Sequence, residues 1–176
     1  MVHITPTMYK IILLSLAISV LFASCAKEKG KIEVKSIDTD AKLYAYMVSF
    51  ATAKKYTYYQ NQAQITSTSG FHNGSYVLKF NPKAQSALGA DGKLPQGSTF
   101  PDSSIVVKEL YNGGTTPYLY NIIMKNKTNP LAKNGWLWAE YKPDGGVNVS
   151  ITSLGSTCLG CHGGNRDYVL TFDAHP

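Results

Sequence analysis

The sequence predicts an α+β domain that is mainly antiparallel β-sheet, with one N-terminal helix and further short helices. Three observations carry this. The 15 Gly, 8 Pro and 12 Tyr favour turns and strands over a helical bundle. Several segments after residue 74 alternate apolar and polar residues at the strand period, whereas a clear helical spacing occurs near Leu43 and Met47. Finally, 176 residues with 44% apolar and 16% charged content suit one ordinary globular domain and argue against disorder. Three cysteines are too few for a disulfide-built mini-protein, and one apolar run near one end is not a multi-span membrane pattern.

The first 24 residues have the form of an export signal. Lys10 precedes an apolar run from Ile11 to Phe22, which is shorter than the roughly 20 residues a membrane span needs and is followed by Ala23, Ser24 and Cys25. The ending Leu21-Phe22-Ala23-Ser24-Cys25 resembles a bacterial lipobox, which predicts a diacylglycerol on Cys25 and a periplasmic or outer-membrane lipoprotein anchored through that lipid. The competing reading is an ordinary secretory peptide with Cys25 left free. Residues 25–37 read as a polar tether and 38–176 as the domain.

From Asp38 to Tyr59 the spacing of Leu43, Met47, Phe50 and Ala51 predicts a helix, with Thr39 or Asp40 as its cap. Tyr76, Leu78 and Phe80 alternate with Val77 and Lys79 as in a strand. Asn81-Pro82 is a helix start, and Gly89 closes that helix after Leu88. Ile105–Tyr111 and Tyr118–Lys125 follow as a hairpin across Asn112-Gly113-Gly114; Trp136–Tyr141 and Val147–Ile151 flank the turn at Asp144-Gly145-Gly146.

The residues that carry chemistry are Cys158-Leu159-Gly160-Cys161-His162. Two thiols separated by two residues and followed by histidine are the attachment pattern of a c-type haem. Each sulfur takes one vinyl group, and His162 is the axial ligand to the iron. A zinc site would need further ligands from His72 and His175, and a thioredoxin-like pair would need a βαβ unit. One motif predicts one haem, around which the short helices gather. Its sixth position decides between a closed electron carrier and an open site. Met47, Met124, His72 and His175 are available as sixth ligands, although the methionines sit in apolar periods, His72 in an exposed loop and His175 at the terminus.

Two further residues break the apolar pattern. Lys108 shares a strand face with Val106 and Leu110, and Asn121 is bracketed by Leu119 and Ile123. Each is either a satisfied polar group at an edge or a functional one. The net charge of +6 is spread over separated lysines, and Arg166 is the single arginine, so no nucleic-acid-binding stripe is present.

The runs Phe100–Leu110, Ile123–Asn126, Gly135–Trp138, Cys158–His162 and Asp167–Thr171, in this order between residues 70 and 173, resemble the cytochrome P460 family, which includes the cytochromes c′-beta. The resemblance implies a homodimer with a five-coordinate haem c whose distal side is open to a small gaseous or nitrogen-oxide ligand. Family members either oxidise hydroxylamine, with a lysine bonded to the porphyrin rim, or bind nitric oxide under a phenylalanine-lined cap. Lys108 falls at the cross-linking lysine, and Asn121 where the oxidising members carry a distal carboxylate; an amide cannot act as that acid or base. Phe50, Phe71, Phe80 and Phe100 are candidates for the cap. The alternative reading is a six-coordinate electron-transfer cytochrome serving a periplasmic redox partner.

Overall fold

The computed structural model describes residues 34–67, 72, 74–163 and 166–170. The export signal, Cys25, Phe71 and His175 lie outside the described residues. Within them, seven strands form one antiparallel sheet: β1 (Thr57–Tyr58), β2 (Ile65–Ser67), β3 (Gly74–Phe80), β4 (Ile105–Tyr111), β5 (Leu119–Lys125), β6 (Trp136–Tyr141) and β7 (Val147–Val149). The order is β1-β3-β4-β5-β6-β7, and β2 shares with β1 the free edge of β3.

The pairing register sorts the side chains into two faces, because neighbours on one strand alternate. One face carries the cross-strand rows Phe80-Val106-Ile123-Trp138 and Leu78-Lys108-Asn121-Glu140. Its core is completed by Tyr76, Leu94, Phe100, Leu110 and Trp136. The other face carries Val107-Ile122-Ala139 and Ile105-Met124-Leu137, and it is covered by helix α1 (Asp40–Thr52) through buried Leu43 and Met47.

Thr39 caps α1, its hydroxyl accepting from Lys42 N–H at 3.3 Å. The helix is shorter than the expected span to Tyr59. Lys54 turns left-handed, and the β-favouring run Tyr56-Thr57-Tyr58 leaves to pair with the edge of β3. Asn81 starts α2 (Pro82–Gln85) as predicted, accepting from Ala84 N–H at 2.9 Å. It also accepts from Ile105 N–H at 3.0 Å and donates to Ser103 O at 2.8 Å. The helix ends after one turn, and the chain reaches Leu88 through tighter turns. The strand after the Asp144-Gly145-Gly146 turn ends at Val149, since Ile151 opens a 3-10 turn and is fully buried against the α1 face.

The domain begins before residue 38. Val34–Ser36 form a 3-10 turn, Ile37 is fully buried, and Asn126 and Asn129 donate to the carbonyls of Val34 and Ile37 at 3.0 and 2.6 Å. Residues 34–37 are therefore part of the fold and not of a tether.

Asp40 fastens the start of α1 to the far end of the sheet. Its carboxylate accepts from Tyr141 OH at 2.9 Å, Ser150 Oγ at 2.6 Å and Ile151 N–H at 2.9 Å. Burial beside this carboxylate pushes the Tyr141 hydroxyl well up from its ordinary pKa. Asp40→Ala is expected to cost about 2–4 kcal/mol, the sum of several hydrogen bonds to a charged acceptor. Urea unfolding midpoints measure this, and Asp40→Asn is expected to lose less.

Candidate functional site

After β7 the chain reverses through Leu154 and Gly155, with φ of 51° and 68°. Gly155 lies flat against Trp138: a Cβ there would meet the indole Cδ1 at 2.7 Å. Glycine alone satisfies both the left-handed conformation and this contact. The chain then closes the single turn α3 (Leu159–His162), where Leu159 N–H donates to Gly155 O at 3.0 Å and His162 N–H to Cys158 O at 3.1 Å.

This turn presents the three residues of the motif together. Both thiols are free, Cys158 half-buried and Cys161 exposed, and burial pushes the Cys158 thiol up. The His162 ring packs edge-on against Trp138, 5.4 Å between centroids. Its Nδ1 lies 2.8 Å from the carbonyl oxygen of Tyr168. A carbonyl only accepts, so Nδ1 carries the hydrogen and Nε2 keeps its lone pair. Burial holds the His162 pKa below its ordinary value, with Lys108 adding to the effect against the opposing Tyr168 bond. The imidazole is thus neutral and has one nitrogen ready to coordinate, the arrangement by which a neighbouring acceptor orients a ligating histidine.

The Tyr168 carbonyl is held in turn by Asp167. Residues 167 and 168 are both left-handed, φ 50° and 72°, a conformation a bulky residue such as tyrosine adopts only when its surroundings enforce it. The enforcement is a buried ion pair. Lys125 Nζ lies 2.6 and 2.9 Å from the Asp167 carboxylate oxygens, with side chains 3% and 5% exposed. Phe100 N–H donates to the same carboxylate at 2.8 Å and the Trp136 indole at 3.3 Å. Lys125 also lies 4.7 Å from the Trp136 ring centroid.

On the same sheet face, Lys108 and Asn121 are direct cross-strand neighbours, a pairing that their separate bracketing by apolar residues did not reveal. The Lys108 ammonium sits 4.1 Å from the Tyr76 ring centroid, and no acidic side chain pairs with it among the described residues. Burial pulls its pKa down to about 8. Asn121 Nδ2 lies 2.9 Å from His72 Nδ1, and its Oδ1 is buried without a hydrogen-bond partner among the described residues. His72 is therefore not the solvent-exposed loop residue expected. It is half-buried against this face, and burial, with Lys108 and then His162, brings its pKa down to about 4.

Other candidates fall elsewhere. Met47 and Met124 are buried on the α1 face, so neither can reach the face that carries His162. Phe50 belongs to the α1 face as well, packed on Tyr46 and Tyr56. Phe80 and Phe100 are fully enclosed in the core beneath the site, leaving neither free to cap it.

The face gathers groups that could hold a haem c. It offers two free thiols, a neutral imidazole with an available nitrogen, and an unpartnered amide oxygen. Leu119, Ile123, Leu159 and Tyr168 are half-buried and pack against the same core. Sequence reasoning missed Gly155, Asp167 and the Tyr168 carbonyl as supports of His162, and the placement of His72. An antiparallel sheet with such a donor set on one face defines the class of β-sheet proteins equipped for c-type haem. The family model Cytochrome P460 matches residues 31–172, and the chain belongs to that family, whose members are haem c proteins with iron. Comparison with curated proteins returned no match.

Two outcomes follow from these supports. Asp167→Ala leaves Lys125 buried and unpaired, and is expected to cost about 3–5 kcal/mol in guanidinium unfolding; Asp167→Asn, which can still accept a hydrogen bond, is expected to lose less. Gly155→Ala is expected to cost about 1–3 kcal/mol by driving a methyl into Trp138. It should also change the near-UV circular dichroism of the indole.

Proposed function

We propose that this chain is an exported, lipid-anchored mono-haem c protein that binds or converts small nitrogen species, nitric oxide or hydroxylamine, at an open iron site. The observation that carries the reading is the polar set Lys108, Asn121 and His72, gathered on the sheet face that also bears His162. Both described methionines lie behind the sheet. Cys158 and Cys161 would supply the thiols for attachment, and His162 Nε2 would be the nitrogen that holds the iron. Haem c, when bound, supplies an iron that takes a small ligand and exchanges electrons. The protein's part is to fix the imidazole through Tyr168 and Asp167, to exclude water with the Trp138 and Leu119 surface, and to furnish a few polar groups. Lys108 is the candidate for a bond to the porphyrin rim, in which its nitrogen would replace a rim hydrogen and two protons and two electrons would pass to an external two-electron oxidant of the peroxide class. Its lowered pKa supports this, because a neutral amine is the nucleophilic form and is well populated near pH 8.

The family membership supports the haem and the nitrogen chemistry at the level of class. Lipidation of Cys25, export, a homodimer and a periplasmic redox partner complete the proposal on the sequence features and the resemblance described above. A second reading is a six-coordinate electron carrier with His72 as sixth ligand, favoured by the inward placement of that ring.

The ferrous optical spectrum of the purified haem-loaded protein decides between them. A broad high-spin band that shifts with carbon monoxide is expected; a sharp low-spin spectrum indifferent to the gas would establish the carrier instead. Tryptic peptides containing Cys158 and Cys161 are expected to carry haem in mass spectrometry, with a fraction also joined to the peptide of Lys108. Haem peptides never joined to Lys108 would favour nitric-oxide binding over hydroxylamine oxidation. Palmitate labelling is expected to disappear in Cys25→Ser, and unchanged labelling would remove the lipid anchor.

A further inference from the structure

We infer that His72, oriented by Asn121, is the side chain that donates a hydrogen bond to a small ligand held on the iron. The inference rests on the open-site reading above and assigns that site its polar contact.

Asn121 Nδ2 stands within hydrogen-bonding distance of both ring nitrogens of His72. Asn121 Nδ2 can only donate, and it lies nearer His72 Nδ1, at 2.9 Å, than Nε2, at 3.3 Å. Nδ1 is then the accepting nitrogen, and in a neutral ring the hydrogen resides on Nε2. Neutrality agrees with the lowered pKa of about 4, which burial causes first and the Lys108 charge second. The charge of Lys108 acts on both His72 and His162, so the two histidines stand within electrostatic reach of one ammonium.

Register places the pair relative to His162. Asn121 is two residues from Ile123 along β5, and Ile123 is the cross-strand partner of Trp138, on which the His162 ring rests. Two residues on a strand separate same-face side chains by about 7 Å. The His72–Asn121 pair and the coordinating histidine therefore occupy adjacent stations on one face. With Asn121 Nδ2 donating to the nearer nitrogen, the first station offers one donor, His72 Nε2–H, and one buried acceptor, Asn121 Oδ1, that has no partner among the described residues. A buried acceptor without a partner costs stability, and a small polar ligand would relieve it.

The test uses the haem-loaded protein in its ferrous carbon monoxide adduct, read by the C–O stretching frequency and by the rate of carbon monoxide loss. A donor aimed at the bound oxygen lowers the stretch. His72→Phe is expected to raise it and to speed loss roughly three- to tenfold, the value of one hydrogen bond. His72→Gln, which keeps a donor, should stay near the wild type and guards against a variant that merely folds badly. Asn121→Leu should broaden or split the band, because the imidazole loses its anchor while Nε2–H remains. A stretch and a rate unmoved in His72→Phe would overturn the inference, as would a shift to lower frequency, which means a lone pair and not a hydrogen faced the ligand. If the wild type refuses carbon monoxide and His72→Ala admits it, His72 is a ligand to iron; if neither admits it, the open-site reading itself fails.

Discussion

The ion pair between Lys125 and Asp167 is the constraint on which the site depends. It stands almost free of solvent, and its carboxylate also accepts from the Phe100 amide and the Trp136 indole. A buried pair of charges adds little net stability over an apolar replacement, because desolvating both offsets their attraction. What it gives here is position. Asp167 holds two successive left-handed residues in place, and the second of them turns its carbonyl toward His162 Nδ1. The sheet therefore controls the imidazole through one carboxylate, although His162 itself lies on an irregular segment. On the other side of the ring, Trp138 braces it from β6, and Gly155 lets the chain pass close enough for that contact.

The two faces of the sheet divide the work. The α1 face is a closed core of Leu43, Met47, Ile122, Met124 and Leu137, fixed at its rim by Asp40. Lys79 pairs with Glu109 on it, and the other Glu109 oxygen accepts from Tyr111 at 2.9 Å. The opposite face is enclosed beneath Phe80, Phe100 and Trp136 but left half-covered around Leu119, Asn121 and Ile123. Met and Phe candidates fell on the wrong side or too deep because apolar residues at strand and helix periods report burial without reporting which layer they enter.

What the sequence made legible follows the same physical line. Strands β4 and β6 were readable to the residue, since strand alternation and bulky side chains agree there, and Lys108 and Asn121 stood out as polar interruptions of that pattern. The Cys158–His162 motif was readable because its spacing is covalent geometry. The end of α1 was not, because Phe50 and Ala51 continue the helical spacing while the chain after Lys54 is drawn into pairing with β3, a tertiary effect. Asp167, Gly155 and the Tyr168 carbonyl could not be read, since their roles exist only once distant segments close on Lys125, Trp138 and His162. His72 carried a misleading signal: glycine neighbours suggest an exposed loop, whereas a partner 49 positions away in sequence brings it inward.

Lys108 is a cost to the fold at the place where it stands. Its neighbours across the sheet are Leu78 and Asn121, its ammonium has the Tyr76 ring for company, and no carboxylate among the described residues offsets its charge. Burial disfavours the charged form, so its pKa in the fold lies below that of the unfolded chain. The unfolded state thus holds the proton more firmly between about pH 8 and the ordinary lysine range, and below that window the native state carries the full penalty of a buried cation. An apolar residue at this register would remove that penalty. The same face leaves Asn121 Oδ1 without a partner among the described residues, while the Tyr168 carbonyl fixes His162 through Nδ1, so its polar groups are set by contacts from distant segments and not by strand pairing alone.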